Sequence, residues 1–162
     1  MSVVVRRAVP EDAAALTEVS RAAIEESTAA HYTAAQRAAW AARRTTQAHL
    51  RYVETTSVLV AEVDGAVAGF ASVALAAVDG LVPGEVDQLF VDPSAGGRGV
   101  ARALLAAVES LARSAGLAGL VTHASWRAAP VFERAGFRQV EVESVTVDGE
   151  LLTRARMVLA LG

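Results

Sequence analysis

Hydrophobic and polar residues follow two rhythms along this chain, one of about 3.6 residues and one of two, and the changes between them mark its elements. Val3 to Arg7 reads as a short strand. Pro10 opens a helix, with Glu11 and Asp12 in a first turn where the helix dipole favours acids. Leu16, Val19, Ala23 and Ile24 give that helix one apolar stripe, and it is expected to fade near Ala30. Tyr32, Gln36 and Trp40 lie four apart and would share one face of a second helix from about Thr33 to Arg43, with Thr46 to Val53 as a further helical piece. The rhythm then changes to that of strands. Val58 to Val63 and Ala66 to Leu75 flank Asp64-Gly65, a strong two-residue hairpin signal. Glu85 to Val91 is another strand, ended by Asp92-Pro93.

The clearest helix runs from Val100 to Ala115, where Leu104, Val108, Leu111 and Ala115 mark one face and Gly116 provides a stop. Leu117 to Thr122 reads as a strand and Trp126 to Ala135 as a short helix closed by Gly136. A hairpin turning at Asp148-Gly149 joins Val140–Val147 to Leu151–Leu159. The hairpins make much of the sheet antiparallel. The helix between the 85–91 and 117–122 strands is long enough for a crossover, which makes that pair parallel. The expected fold is α/β: a mixed, mostly antiparallel sheet covered by helices.

Composition narrows the function. At 162 residues the chain fits one domain, 1–162, and 53% apolar with 20% charged residues suits a packed core rather than disorder. A formal charge of −3 gives no support for a nucleic-acid face. The absence of cysteine excludes a disulfide framework, a thiolate metal site and a cysteine nucleophile, and no metal site is expected. The opening residues carry no signal-peptide hydrophobic region, and the longest apolar run, Ala66 to Val78, is too short to span a bilayer. A cytoplasmic address without membrane association follows as the expectation. All 15 basic side chains are arginine, and lysine and asparagine are absent, a bias that suggests a GC-rich genome.

The most informative stretch is Leu89-Phe90-Val91-Asp92-Pro93-Ser94-Ala95-Gly96-Gly97-Arg98-Gly99-Val100-Ala101-Arg102. A strand ends, a glycine-rich turn follows and a long helix begins. Such a turn aims several backbone N–H groups at one spot, and the helix terminus adds partial positive charge, which together suit a pyrophosphate. Glycines that merely allow a tight turn are the plainer alternative. A P-loop is excluded because it needs a lysine, and a dinucleotide fingerprint needs a small residue where Arg102 stands.

Val91-Asp92-Pro93 followed by Gly97-Arg98-Gly99-Val100-Ala101 resembles the coenzyme A signature of the GNAT superfamily of N-acetyltransferases, Gln/Arg-x-x-Gly-x-Gly/Ala. The last two small positions fall on Gly99 and Ala101, while Gly96 stands at the Gln/Arg position, a departure that removes a side-chain contact but not the backbone cradle of 97 to 102. Ser125-Trp126-Arg127-Ala128 with Val131-Phe132-Glu133-Arg134-Ala135-Gly136-Phe137 resembles the family's Asn-x-x-Ala…Phe-Tyr-Glu-x-x-Gly-Phe segment, and Arg7 to Asp12 matches its usual start. The resemblance covers nearly the whole chain. It implies a bacterial acyl-CoA N-acyltransferase fold with a splayed parallel strand pair, acetyl-CoA as co-substrate, and a small-molecule or peptide amine as acceptor attacked directly. A homodimer stays open.

The resemblance further implies that pantetheine lies along Leu89, Phe90 and Val91 as an added strand. The cradle of Gly97, Arg98, Gly99, Val100, Ala101 and Arg102 would hold the pyrophosphate, with Ser125, Ala128 and Phe132 lining the same site. Arg98 and Arg102 would pair with phosphates or stand solvated. Glu85 is the first candidate base, at a position where some members carry one. Asp87, two residues on, is expected on the same side, where a like charge raises one pKa; it would alternatively be a structural acceptor. Many relatives have a tyrosine where Phe132 stands to protonate the thiolate; here the thiolate would leave unaided or His123 would serve. Tyr32 and Trp40, with His31 and Gln36 near them, are the candidate acceptor-binding residues, packing against the sheet being the alternative for Trp40. A catalytically degenerate acetyl-CoA sensor or scaffold is the rival reading, fed by Phe132 and Gly96.

Overall fold

The computed structural model describes residues 2–162. In chain order the elements are β1 (Val3–Arg7), α1 (Ala13–Ala22), α2 (Ala34–Ala42), α3 (Thr46–Thr55), β2 (Ser57–Val63), β3 (Ala66–Val73), β4 (Glu85–Val91), α4 (Val100–Ser114), β5 (Gly119–Ala124), α5 (Ala129–Arg134), β6 (Arg138–Val147) and β7 (Glu150–Ala160). The strands form one sheet in the order β1-β2-β3-β4-β5-β7-β6. Every pairing is antiparallel except β4 with β5. The expected mixed, mostly antiparallel α/β fold is therefore the one found. No helix among the described residues is long and apolar enough to cross a membrane.

Two apolar clusters fix the layers. Val100, Leu104, Leu105, Val108 and Ala112 of α4 pack on Ala61, Ala71 and Val73. Leu16 and Val19 of α1 pack on Val58, Val60 and Phe70, with Tyr52 and Val53 of α3 against the same cluster. The α4 stripe drifts to Ala112 instead of reaching Ala115, which is exposed in the C-terminal turn, as a 3.6-residue period dictates.

Three elements depart from the sequence expectation. The first helix widens into a π-helical turn at Ala23–Ser27, where the Thr28 hydroxyl donates to the Ile24 carbonyl. The 126–135 helix is regular only from Ala129, because residues 126–128 form a turn in which the Ala128 N–H bonds back to Ser125. The segment after β3 holds a third Asp-Gly turn at Asp79-Gly80, closed by a bridge between Val78 and Leu81, that the hydrophobic pattern does not announce.

Two features of β4 shape the space beside it. It pairs with β5 only through Glu85↔Val121 and Val86↔Thr122, so its edge from residue 87 onward has no β5 partner. The approach at the closed end is tight: a Cβ on Gly84 would lie 2.4 Å from the Gly119 carbonyl oxygen. Thr122 sits at the point of divergence and donates its hydroxyl to the Val86 carbonyl at 2.8 Å. On the other side, Ser72 pairs with Gln88 and Val73 with Val86, which leaves Asp87 as the extra residue of a β-bulge.

Candidate functional site

The divergence of β4 from β5 opens a cavity of about 870 Å³. Leu89, Phe90 and Val91 form one wall, the Gly96–Arg102 turn another, and Ser125, Ala128 and Phe132 a third. Two separate sequence motifs, within 89–102 and 125–132, are thus gathered on one space. Val100, Ala101 and Arg102 line it too, whereas Arg98 is exposed outside its lining.

The turn has the geometry of an anion cradle. Gly97 and Gly99 both take φ +77°, and the space beside each is open to 4 Å. A side chain in that backbone conformation is strained, and its Cβ would occupy the space. Gly99 is the N-cap of α4 and offers no capping side chain, so the first N–H groups of this 15-residue helix keep their donor capacity. Ser125 accepts from the Ala128 N–H at 3.2 Å, capping the turn before α5 while facing the cavity. Phe132 lies edge-on to Phe137 with ring centroids 5.1 Å apart, and no tyrosine lines the cavity among the described residues.

The two candidate carboxylates are placed differently. Glu85 is buried outside the cavity lining: its Oε1 accepts from the Val82 N–H at 3.1 Å, and its Oε2 stands 3.9 Å from His123 Nε2. Asp87 lines the cavity. A bulge interrupts the strict alternation at Asp87, yet its carboxyl still feels the Glu85 charge, as the spacing of the two predicts. Asp87 is reached by solvent along the cleft but hemmed in by protein. Desolvation first, then the neighbouring Glu85 charge, push its carboxyl above the ordinary range, while Arg44, His123 and Arg154 pull the other way. It has no ion-pair partner within 4 Å among the described residues.

His123 faces the cavity from β5, in the gap left by the splay. Its Nδ1 is bonded to Glu143 of β6, and Arg154 of β7 donates to the same carboxylate oxygen at 2.8 Å. Burial would raise Glu143, but the His123 and Arg154 hydrogen bonds outweigh it and hold its carboxyl low. With Nδ1–H donated to that carboxylate, Nε2 is the basic nitrogen. Neither Glu143 nor Arg154 was legible as a site residue, because nothing in β-strand sequence announces that two strands far along the chain return to this point.

A second cationic group was also missed. Arg44, at the end of α2, is buried; it bonds Gln88 of β4 and lies over the rings of Phe90 and Tyr52 at 5.0 and 5.8 Å from their centroids. Gln88 is turned towards it because its own Nε2 donates to Ser72 at 3.0 Å. Desolvation pulls the Arg44 guanidinium below its ordinary value, and no carboxylate lies within ion-pair distance among the described residues.

The expected acceptor residues divide. Trp40 lines the cavity and lies 6.0 Å from the Phe90 ring. Tyr32 is instead buried outside the lining, packed on Val147 and Leu152. Its hydroxyl donates to the Thr153 carbonyl at 2.8 Å and accepts from the Trp126 N–H at 3.1 Å, which commits the polar tip as a buried phenol requires. Gln36 caps α2 with Thr33 and donates to the Leu151 carbonyl. His31 is exposed. No cluster of His, Cys, Asp and Glu suited to a metal ion occurs among the described residues.

Known proteins share this architecture. The model of the acetyltransferase (GNAT) domain matches residues 22–159. A GCN5-related N-acetyltransferase structure from Rhodopseudomonas palustris superposes with a TM-score of 0.90 at 31% identity, covering 99% of this chain and 97% of that one. A structure of yncA from Salmonella typhimurium, a putative acetyltransferase with its cofactor acetyl-CoA, gives a TM-score of 0.74 at 26% identity over 100% of this chain and 95% of that one. PaiA N-acetyltransferase from Thermoplasma acidophilum, in complex with coenzyme A, shares the fold with a TM-score of 0.76 at 17% identity, over 99% of this chain and 100% of that one. No curated protein sequence matches the chain.

Proposed function

The chain belongs to the GNAT acetyltransferases, which use acetyl-CoA as co-substrate, and from that premise we propose that it acetylates a primary amine of a small molecule or peptide by direct attack. The observation that carries this reading is the position of Asp87: an unpaired carboxylate at a bulge, facing the same cavity as the glycine cradle and the open edge of β4.

The residues present fit the coenzyme. The open space beside Gly97 and Gly99 and the uncapped N–H groups of α4 would receive the pyrophosphate, with Arg102 beside them. The free edge of Leu89 to Val91 would pair with the pantetheine amides. Bound acetyl-CoA supplies the acetyl thioester, whose C–S bond breaks as the C–N bond to the acceptor forms. The chain's own groups handle protons and orientation. Asp87 accepts the proton that the acceptor's ammonium must lose before its nitrogen is nucleophilic. The raised carboxyl makes it a stronger base than a solvated aspartate. Glu85 sustains that elevation by charge repulsion. Phe132 brings no proton, so the departing thiolate takes one from water or from protonated His123, or leaves unprotonated, as a group with a pKa of about 8.5 allows.

The test is thiol release from acetyl-CoA with a panel of amines. Amine-dependent release supports the reading. Saturable acetyl-CoA binding without release on any amine points to the sensor or scaffold that Phe132 and Gly96 would suit.

A further inference from the structure

Asp87 is shared by two cavities among the described residues. Besides the large one, it lines a pocket of about 330 Å³ between α3 and the Asp79-Gly80 turn. That volume suits a small ligand rather than a coenzyme. Its walls have a consistent chemistry. Thr55 and Thr56 already donate their hydroxyl hydrogens to the carbonyls of Arg51 and Tyr52, at 2.8 and 2.7 Å, so they offer the pocket oxygen lone pairs. Arg51 is its one lining cation, and it is held by Asp79 through two bonds of 3.0 and 2.8 Å. Desolvation raises the Tyr52 phenol, which therefore stays protonated. Arg44 is absent from the lining and is turned to Gln88. The unpaired charge facing the space is that of Asp87.

We propose that this smaller pocket receives the acceptor, and that the acceptor is a small primary amine, cationic on arrival and without an anionic group. The proposal rests on the amine-acetylation reading above. It gives the bulge a function: one carboxylate is presented to the coenzyme's cavity and to the acceptor's pocket together. The ammonium is met by Asp87 and by threonine oxygens, and a carboxylate on the same molecule would face Asp87 and Asp79 without a free cation on the wall. The turn that carries Asp79 closes one side of the pocket, tied to α3 by the Arg51 pair.

Two measurements test it. The native chain is assayed with matched pairs: phenethylamine against phenylalanine, histamine against histidine, and cadaverine against lysine. The decarboxylated member of each pair should have a kcat/KM at least about tenfold higher. Amino acids that equal or exceed their amines overturn the proposed class. In parallel, Ala48→Phe and the smaller Ala48→Leu fill the pocket from α3. Each should raise the KM of the best amine at least about tenfold, while the KM for acetyl-CoA and the thermal shift it causes stay within about twofold. An unchanged amine KM in a folded variant overturns the pocket's assignment and leaves the amine reading intact. Loss of the acetyl-CoA shift gives the pocket to the coenzyme and also overturns it. No native turnover on any amine removes the reading itself, and the pocket assignment with it. The matched pairs need no variant, so failure of the substituted chains to fold leaves a decisive measurement.

Discussion

Oε2 of Glu85 and Nε2 of His123 face each other at 3.9 Å where β4 and β5 begin to part. This contact gathers a buried carboxylate, a basic nitrogen and, one bulge further on, the Asp87 carboxylate. The three groups have different expected roles, and substitution separates them.

Asp87→Asn should lower kcat by about 10²–10⁴ if Asp87 is the base, with acetyl-CoA binding retained. Glu85→Gln should act differently. Glu85 holds the Asp87 carboxyl up, so removing its charge lets that carboxyl fall and moves the acid limb of kcat/KM to lower pH. A loss of about 10²–10⁴ in Glu85→Gln, with Asp87→Asn nearly unaffected, would assign the base to Glu85.

Arg44→Gln should shift the same limb in the opposite direction. The guanidinium pulls the Asp87 carboxyl down against desolvation, and without it the carboxyl rises further. Activity below neutrality then falls, while the plateau at higher pH is largely kept. An unmoved pH profile in a folded variant would restrict Arg44 to packing under Tyr52 and Phe90.

Gly99→Asp should abolish the rise in thermal midpoint that acetyl-CoA causes in the native chain. A ligand specific to the folded state stabilises by mass action. The substitution puts a Cβ and a negative charge where the N–H groups of α4 would meet a phosphate. A full shift in the variant would move the phosphate site elsewhere.

Phe132→Tyr should leave turnover unchanged or higher, since it adds a hydroxyl to a ring that lines the cavity with little change of volume. His123→Ala should then have a small effect. A collapse on removing His123, repeated in Glu143→Gln, would make the histidine the acid and Glu143 its positioning residue, because Glu143 fixes which ring nitrogen faces the cavity.

His49 gives a prediction about stability rather than chemistry. It is fully enclosed, its Nε2 lies 3.3 Å from the Ser20 hydroxyl, and its Nδ1 has no partner. Burial, then the charges of Arg44 and Arg21, push its pKa down to about 3. The unfolded imidazole binds a proton below about 6.5 and the folded one does not, so this stability is present above 6.5 and drains as pH falls towards 3. The expected cost approaches about 1.4 kcal/mol per unit. Urea melts from about pH 7 to pH 5 should show a steeper loss for the native chain than for His49→Leu; equal slopes would exclude His49 as the cause.

What the sequence determined by itself was local. Asp-Gly dipeptides announced the hairpins, the α4 stripe announced its helix, and the 85–114 stretch announced a strand, a glycine turn and a helix in that order, because each depends on torsions and periods within one short stretch. Even the parallel pairing of β4 with β5 followed from the length of the crossover between them. Tertiary structure decided which side chains share a space. Alternation set Asp87 near Glu85, but a bulge against β3 falls at Asp87, which lines the cavity where Glu85 does not, and a bulge depends on the partner strand as much as on its own residues. The four-residue spacing of Tyr32, Gln36 and Trp40 was real, yet β7 and the Trp126 turn claimed the tyrosine and left the tryptophan to the cavity. Arg44, Glu143 and Arg154 reach the site from three separate elements. Long-range packing alone set their place, since a charge has no period that marks it as buried until the chain closes around it.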